Sequence, residues 1–159
     1  MRRISFLVIS LLILFFSSCK TYTIPVDSFQ QQFAAAGYSK SRLVTVEGPR
    51  GYQSTIGFDD TVSYRTYPMD SIKCLDKDGK QYGIKVSPSI EIRFTYEDNR
   101  RVVFYFDLMT VNDYIIEGIR SRFIPSIRKT IQVSTIKKIE VQDGMKKFRY
   151  IAVKDLTRG

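Results

Sequence analysis

The chain has 159 residues, 43% of them hydrophobic and 26% charged, with 25 Lys/Arg against 16 Asp/Glu and a net charge of +9. It contains no histidine, no tryptophan and two cysteines. This is a globular composition rather than a disordered one. The missing histidine removes His-based acid–base catalysis and the usual His-containing zinc sites.

The first element is a leader, Met1–Cys19, reading MRRISFLVISLLILFFSSC. Two arginines precede a mostly apolar run from Ile4 to Phe16, and Ser17 and Ser18 lead into Cys19. A charged start, a short apolar stretch and small residues at its end are the anatomy of a secretory signal. Thirteen residues fall short of the roughly 20 that a spanning helix needs, so a permanent transmembrane helix is not expected.

Phe16-Ser17-Ser18-Cys19 resembles the lipobox of bacterial lipoproteins, with Phe16 where leucine is usual. The resemblance implies that the leader is cut before Cys19, that the Cys19 thiol carries a diacylglycerol and that the new amino terminus is usually acylated, so palmitate is expected. Lys20 follows the cysteine where aspartate would imply inner-membrane retention, so the resemblance implies the outer membrane. The leader and the Tyr/Lys-rich body look like small lipoproteins of the Bacteroidota. An acidic run just past the cysteine, often present in their surface-exposed members, is missing, which implies a periplasm-facing domain. Three parts are expected: a cleaved leader at 1–18, a lipidated tether at 19–27 and a single β-rich domain at 28–159.

With Cys19 lipidated, Cys74 has no partner for an intramolecular disulfide. Its place in Ser71-Ile72-Lys73-Cys74-Leu75 reads as a small buried hydrophobe. Asp27 or Ser28 is expected to cap a short helix carrying Phe29 and Phe33 on one face, with Gly37 at its end. From Ser41 the pattern turns to β. Arg42–Glu47 is a strand, Gly48-Pro49-Arg50-Gly51 a turn, Ile56–Tyr67 a weak strand region with a turn at Asp59-Asp60. Asp76-Lys77-Asp78-Gly79 is a hairpin loop between strands at 71–75 and 80–86; it lacks the ligand spacing of a calcium loop.

The clearest signal is the next hairpin. Ile90, Ile92, Phe94 and Tyr96 alternate with polar residues, as do Val102, Phe104, Phe106 and Leu108, across the loop Glu97–Arg100. Such period-2 patterning predicts an antiparallel pair with one buried face. Val111–Ser126 reads as a turn at Asn112-Asp113 followed by a strand to about Phe123, the alternative being a helix with Gly118 in its middle, ended by Pro125. Thr130–Val141 and Lys146–Val153 are the last strands. Asp143-Gly144 between them signals a tight hairpin that would set Lys138 opposite Arg149. The strand count predicts a mainly β fold, a small antiparallel barrel or sandwich with one short N-terminal helix. By analogy its last five strands would close an SH3-like barrel.

No nucleophile elbow, phosphate loop or dinucleotide motif is present, and no cofactor or metal is expected. Asp107, Asp113 and Glu117 read as turn and solvent-face acids. Residues 120–159 hold 11 Lys/Arg against three acids, a net +8. Lys138, Lys147, Arg149, Lys146, Arg128 and Lys129 are the candidate anion- or partner-binding residues, for an acidic glycan, lipopolysaccharide or an acidic envelope protein. Phe148 and Tyr150 alternate with Lys147 and Arg149, and the chain is addressed out of the cytoplasm, so nucleic acid is not an expected partner. The reading is an envelope-anchored, non-enzymatic binding or assembly module. Its alternatives are a small envelope hydrolase without histidine and a purely structural lipoprotein.

Overall fold

The main sheet is built around the first strand of the chain. The computed structural model describes residues 20–49, 61–122, 124 and 126–156. The leader, Cys19, the second half of the turn at 48–51, Asp59-Asp60, Phe123 and Pro125 lie outside them. Strand β1 (Thr21–Ile24) runs straight into helix α1 (Val26–Ala36). A 3-10 turn (Tyr38–Lys40) leads to β2 (Arg42–Glu47), and then come β3 (Thr61–Thr66), β4 (Ser71–Leu75), β5 (Gln81–Lys85), β6 (Ile90–Tyr96) and β7 (Arg101–Tyr105). A 3-10 turn at Phe106–Leu108 precedes β8 (Met109–Val111) and β9 (Ile115–Ile119). The chain finishes with β10 (Arg128–Gln132), a 3-10 turn (Val133–Thr135), β11 (Ile136–Asp143) and β12 (Arg149–Asp155).

The fold is mainly β, 53% strand, in three antiparallel sheets with one α-helix. Six strands form the order β5-β4-β1-β11-β6-β7, and two three-stranded sheets have the orders β10-β9-β8 and β12-β2-β3. Among the described residues no closed barrel forms, and the last five strands are spread over all three sheets. The stretch expected to be a tether is instead structured from Thr21, because Tyr22 and Ile24 continue the apolar face opposite Val141 and Ile139.

Alternation decides which face is buried. Ile92 faces Phe104 and Phe94 faces Val102 across β6 and β7, in the hairpin the pattern predicts. Six of its eight apolar residues are buried; Tyr96 and Leu108 are half-buried at the ends. Helix α1 covers part of this face: the Phe29 ring meets Phe94 edge-on at 5.6 Å, and Phe33 packs on Tyr67 and Phe106. The helix begins two residues earlier than expected, with Pro25 at its N-cap and no side-chain cap from Asp27 or Ser28. Gly37 closes it in the left-handed region, at φ 67°.

One helix side chain completes the sheet. After Ile24 the chain leaves the sheet, so β4 pairs with β1 only at Thr23–Leu75. Gln32 fills the gap: its Oε1 accepts from Lys73 N at 2.7 Å and its Nε2 donates to Lys73 O at 3.0 Å. A side-chain amide thus satisfies a strand residue as a neighbouring backbone would.

Two boundaries differ from the sequence reading. The run Thr130–Val141 is not one strand; it breaks at Val133–Thr135, where Thr135 Oγ1 donates to Gln132 O and the chain changes sheet. Nor do β11 and β12 form a hairpin. Both edges of β11 are already filled, by β1 and β6. After Asp143, Gly144 N donates to Ser89 O and Met145 takes φ 52°, and the chain crosses to pair β12 with β2. The Asn112 turn does form: Asn112 Oδ1 accepts from Tyr114 N and Ile115 N, and β9 follows as a strand rather than a helix. The Asp76 turn forms too, its Oδ1 taking Asp78 N and Lys80 N.

Candidate functional site

Among the described residues, the buried charges form a pair that includes Asp107, an acid expected at the surface. Asp107 is 1% exposed and Arg122 2%. Asp107 lies in the 3-10 turn after β7, carried inward between buried Phe106 and Met109. Arg122 follows β9. The two meet side by side, Nη2 to Oδ1 and Nη1 to Oδ2, both at 3.0 Å. This fork-on-fork geometry is the strong form of a charged hydrogen bond.

Two tyrosines from the β12-β2-β3 sheet complete the shell. Tyr64 and Tyr150 both donate to Asp107 Oδ2, the latter at 2.8 Å. Arg122 Nη1 also reaches Tyr64 Oη, and Nη2 donates to Pro88 O. The guanidinium carbon lies 4.4 Å from the ring centre of Tyr105 and 5.2 Å from that of Phe148, so aromatic faces take the place of water. Among the described residues, Arg122 Nε has no hydrogen-bond partner. The cluster draws on all three sheets or the turns that leave them, and it bolts them together.

The chemistry available here is limited by the protonation of the phenols. Burial first, and the Asp107 charge second, push the Tyr64 hydroxyl far above its ordinary 10.0, and the same causes raise Tyr150. Burial alone would lower Arg122; Asp107 outweighs it and the net direction is up. The phenols therefore stay protonated as donors and do not serve as bases at neutral pH. The folded state holds these two protons more tightly than the unfolded one. Their contribution to stability is complete below about pH 10 and declines as the pH rises above it. Urea midpoints measured from about pH 9 to 11 should therefore fall more steeply for the native chain than for Tyr64→Phe or Tyr150→Phe. Parallel curves would show that these phenols do not couple folding to pH.

The six candidate basic residues are spread over strands of all three sheets and the connector before β12. Lys138 sits on β11, opposite Thr95, and pairs with Glu140 at 2.8 Å. Arg128 and Lys129 lie on β10, where Arg128 pairs with Glu117 at 2.9 Å and Lys129 Nζ stands 5.6 Å from the Tyr96 ring centre. Arg149 faces Glu47 across β12 and β2 and forms an ion pair with it. Lys146 pairs with Glu91 at 2.6 Å and donates to Tyr105 Oη. Lys147 is exposed and has no acidic partner among the described residues. Lys138 does not oppose Arg149, because the hairpin that would align them is absent.

Cys74 is 3% exposed and its thiol donates weakly to Tyr82 O at 3.4 Å; burial pushes its pKa up. The buried reading of this residue holds. Among the described residues no three His, Cys, Asp or Glu side chains gather as a metal site, and no helix is long and apolar enough to cross a membrane.

The sequence signal for the buried pair was faint. Asp107 directly follows three aromatic residues, and Arg122 is lost among the other cations of the last forty residues. The chain matches no family model, no curated protein and no solved structure.

Proposed function

We propose that this chain is a bacterial lipoprotein whose mature β domain, a small sandwich, is held on the outer membrane by lipid on Cys19, faces the periplasm and works as a non-enzymatic binding or assembly module. The observation that carries the reading is the leader: a short apolar run, two small residues, then Cys19. Two features of the domain support it. Cys74 is buried, so it does not compete with Cys19 for modification. Strand β1 begins at Thr21, two residues past the cysteine, so the domain needs no spacer. Lipid alone supplies stable attachment once two or more acyl chains are present. Fixing the domain at a surface then raises its effective concentration toward any partner there. The proposed contact for anionic glycan, lipopolysaccharide or an acidic envelope protein is the basic C-terminal third. Four of its six candidate residues are already ion-paired. An anion must therefore compete for them, and binding should be strongly salt-dependent.

Cys19→Ala is expected to abolish palmitate incorporation and leave an uncut or soluble product. Membrane fractionation with metabolic palmitate labelling reads this directly. Mature, detergent-requiring protein from the alanine variant would overturn the lipoprotein reading.

A further inference from the structure

The register of the main sheet gathers three chain segments at one end. Thr21 opens β1 opposite Gln142 near the end of β11, and Leu75 closes β4 opposite Gln81. Lys20, the hairpin turn Asp76–Lys80 and the connector Gly144–Lys147 therefore emerge together, at the end where the chain leaves toward Cys19. The β6–β7 hairpin, Glu97–Arg100, lies at the other end, because β6 runs antiparallel to β11 from Ile90 to Tyr96.

The composition of the near end is distinctive. Tyr82 is 51% exposed and stacks on Tyr22 with ring centres 4.9 Å apart. The two rings border a cleft of about 610 Å³ with Lys20, Asp76, Lys77 and Asp78. Met145 is 75% exposed. The amines of Lys20, Lys77, Lys80 and Lys147 have no acidic partner among the described residues. Most acids at this end are engaged: Asp76 holds its own turn, Asp143 takes Ser89 Oγ and Met145 N, and Glu91 pairs with Lys146. Asp78 is left in solvent. Free lysines beside half-exposed tyrosines match the layer where phosphates and acyl chains meet, since tyrosine favours the membrane–water boundary and lysine the headgroup phosphates.

We propose that this end of the main sheet, with Tyr82, Met145, Lys20, Lys77 and Lys147, rests in the phospholipid headgroup layer of the membrane that holds the Cys19 lipid. The proposal rests on the lipoprotein reading and deepens it by giving the domain an orientation. Its geometric basis is the lack of slack. Two residues extend at most about 7 Å, close to the roughly 5–8 Å thickness of one headgroup layer. Thr21 is fixed in the centre of a six-stranded sheet, so the sheet end cannot drift away from the surface. The strands then rise from the bilayer, and the β6–β7 loop stands about 20 Å above it, at 3.3 Å per residue along β6.

The test uses full-length chain, processed and lipidated in cells and reconstituted into vesicles of phosphatidylethanolamine and phosphatidylglycerol. An environment-sensitive fluorophore is placed through Tyr82→Cys or Glu97→Cys, both exposed positions, in a Cys74→Ala background, because position 82 lies opposite Cys74 across β4 and β5. Headgroup-proximal spin-labelled lipid should quench position 82 several-fold more than position 97. Lys77→Glu with Lys147→Glu should reduce that difference on anionic vesicles. Equal quenching at both positions, or more at 97, would overturn the orientation while leaving the anchor intact. Mass spectrometry of the same preparation separates the two ideas: an unmodified Cys19 would overturn the lipoprotein reading and this orientation with it.

Discussion

Asp107→Ala should lower the stability of the domain by about 3–5 kcal/mol, the range for removing one partner of a buried ion pair. Both oxygens of the carboxylate accept hydrogen bonds. Oδ1 takes Arg122 Nη2; Oδ2 takes Arg122 Nη1 and the hydroxyls of Tyr64 and Tyr150. Alanine would leave a guanidinium that is fully buried and unpaired, along with two buried hydroxyls that have lost their acceptor. A domain of this size has roughly 5–15 kcal/mol in all, so the variant should be largely unfolded near 37 °C or express poorly. The double change Asp107→Leu with Arg122→Met separates two causes. Charge burial costs more than packing here, so an apolar pair should regain much of the loss. Urea unfolding of the native chain and these two variants measures it. A loss below about 1 kcal/mol for Asp107→Ala, in the range of an ordinary exposed pair, would mean that water reaches the site.

Gly118→Ala should cost about 1–3 kcal/mol, the usual penalty for overpacking, although it adds a single methyl. A Cβ at Gly118 would fall 2.3 Å from Phe104 Cγ and Cδ2. Phe104 is completely buried in the β6–β7 hairpin, so its ring has no room to retreat. The close approach lets β9 lie directly over the main sheet, paired with Met109 on one side and Lys129 on the other. Phe104→Leu should rescue part of the effect, giving a double-mutant coupling that a propensity change would not show. Gly83→Ala is the control, since nothing lies within 4 Å of a Cβ there. Comparable losses for the two glycine variants would remove the packing explanation.

What could be read from the sequence was what is local. The β6–β7 hairpin follows from alternation on both sides of a polar loop, and the Asp76 and Asn112 turns follow from side chains that bond their own backbone two to four residues on. Phe29 and Phe33, one turn apart, gave the helix its buried face. What could not be read depends on which edges are free in space. Asp143-Gly144 carries a sound hairpin signal, yet β11 had no edge left for β12. Gly118 was informative against a helix, but its contact with Phe104 joins strands from two sheets. The buried cluster is the extreme case: Tyr64, Asp107, Arg122 and Tyr150 are far apart along the chain, and neither the acid nor the base differs by type from its exposed neighbours. Of the candidate basic residues, the acids that pair with Arg149 and Lys146 come from β2 and β6, which no periodicity could bring to them.

The central position of β1 has a consequence for how this molecule assembles. Its partners are β11 and β4, and the pair Thr21–Gln142 closes nearly the whole domain into one loop. Strand β12 likewise waits for β2, with Arg149 opposite Glu47 across 102 residues. Contacts this distant must repay a long loop closure before they stabilise anything, which places folding in the slow range, milliseconds to seconds. Strand β1 lies inside its sheet, whereas β12 is the edge strand of another. Strand β1 therefore gains its main partner only when β11, in the last third of the chain, has arrived.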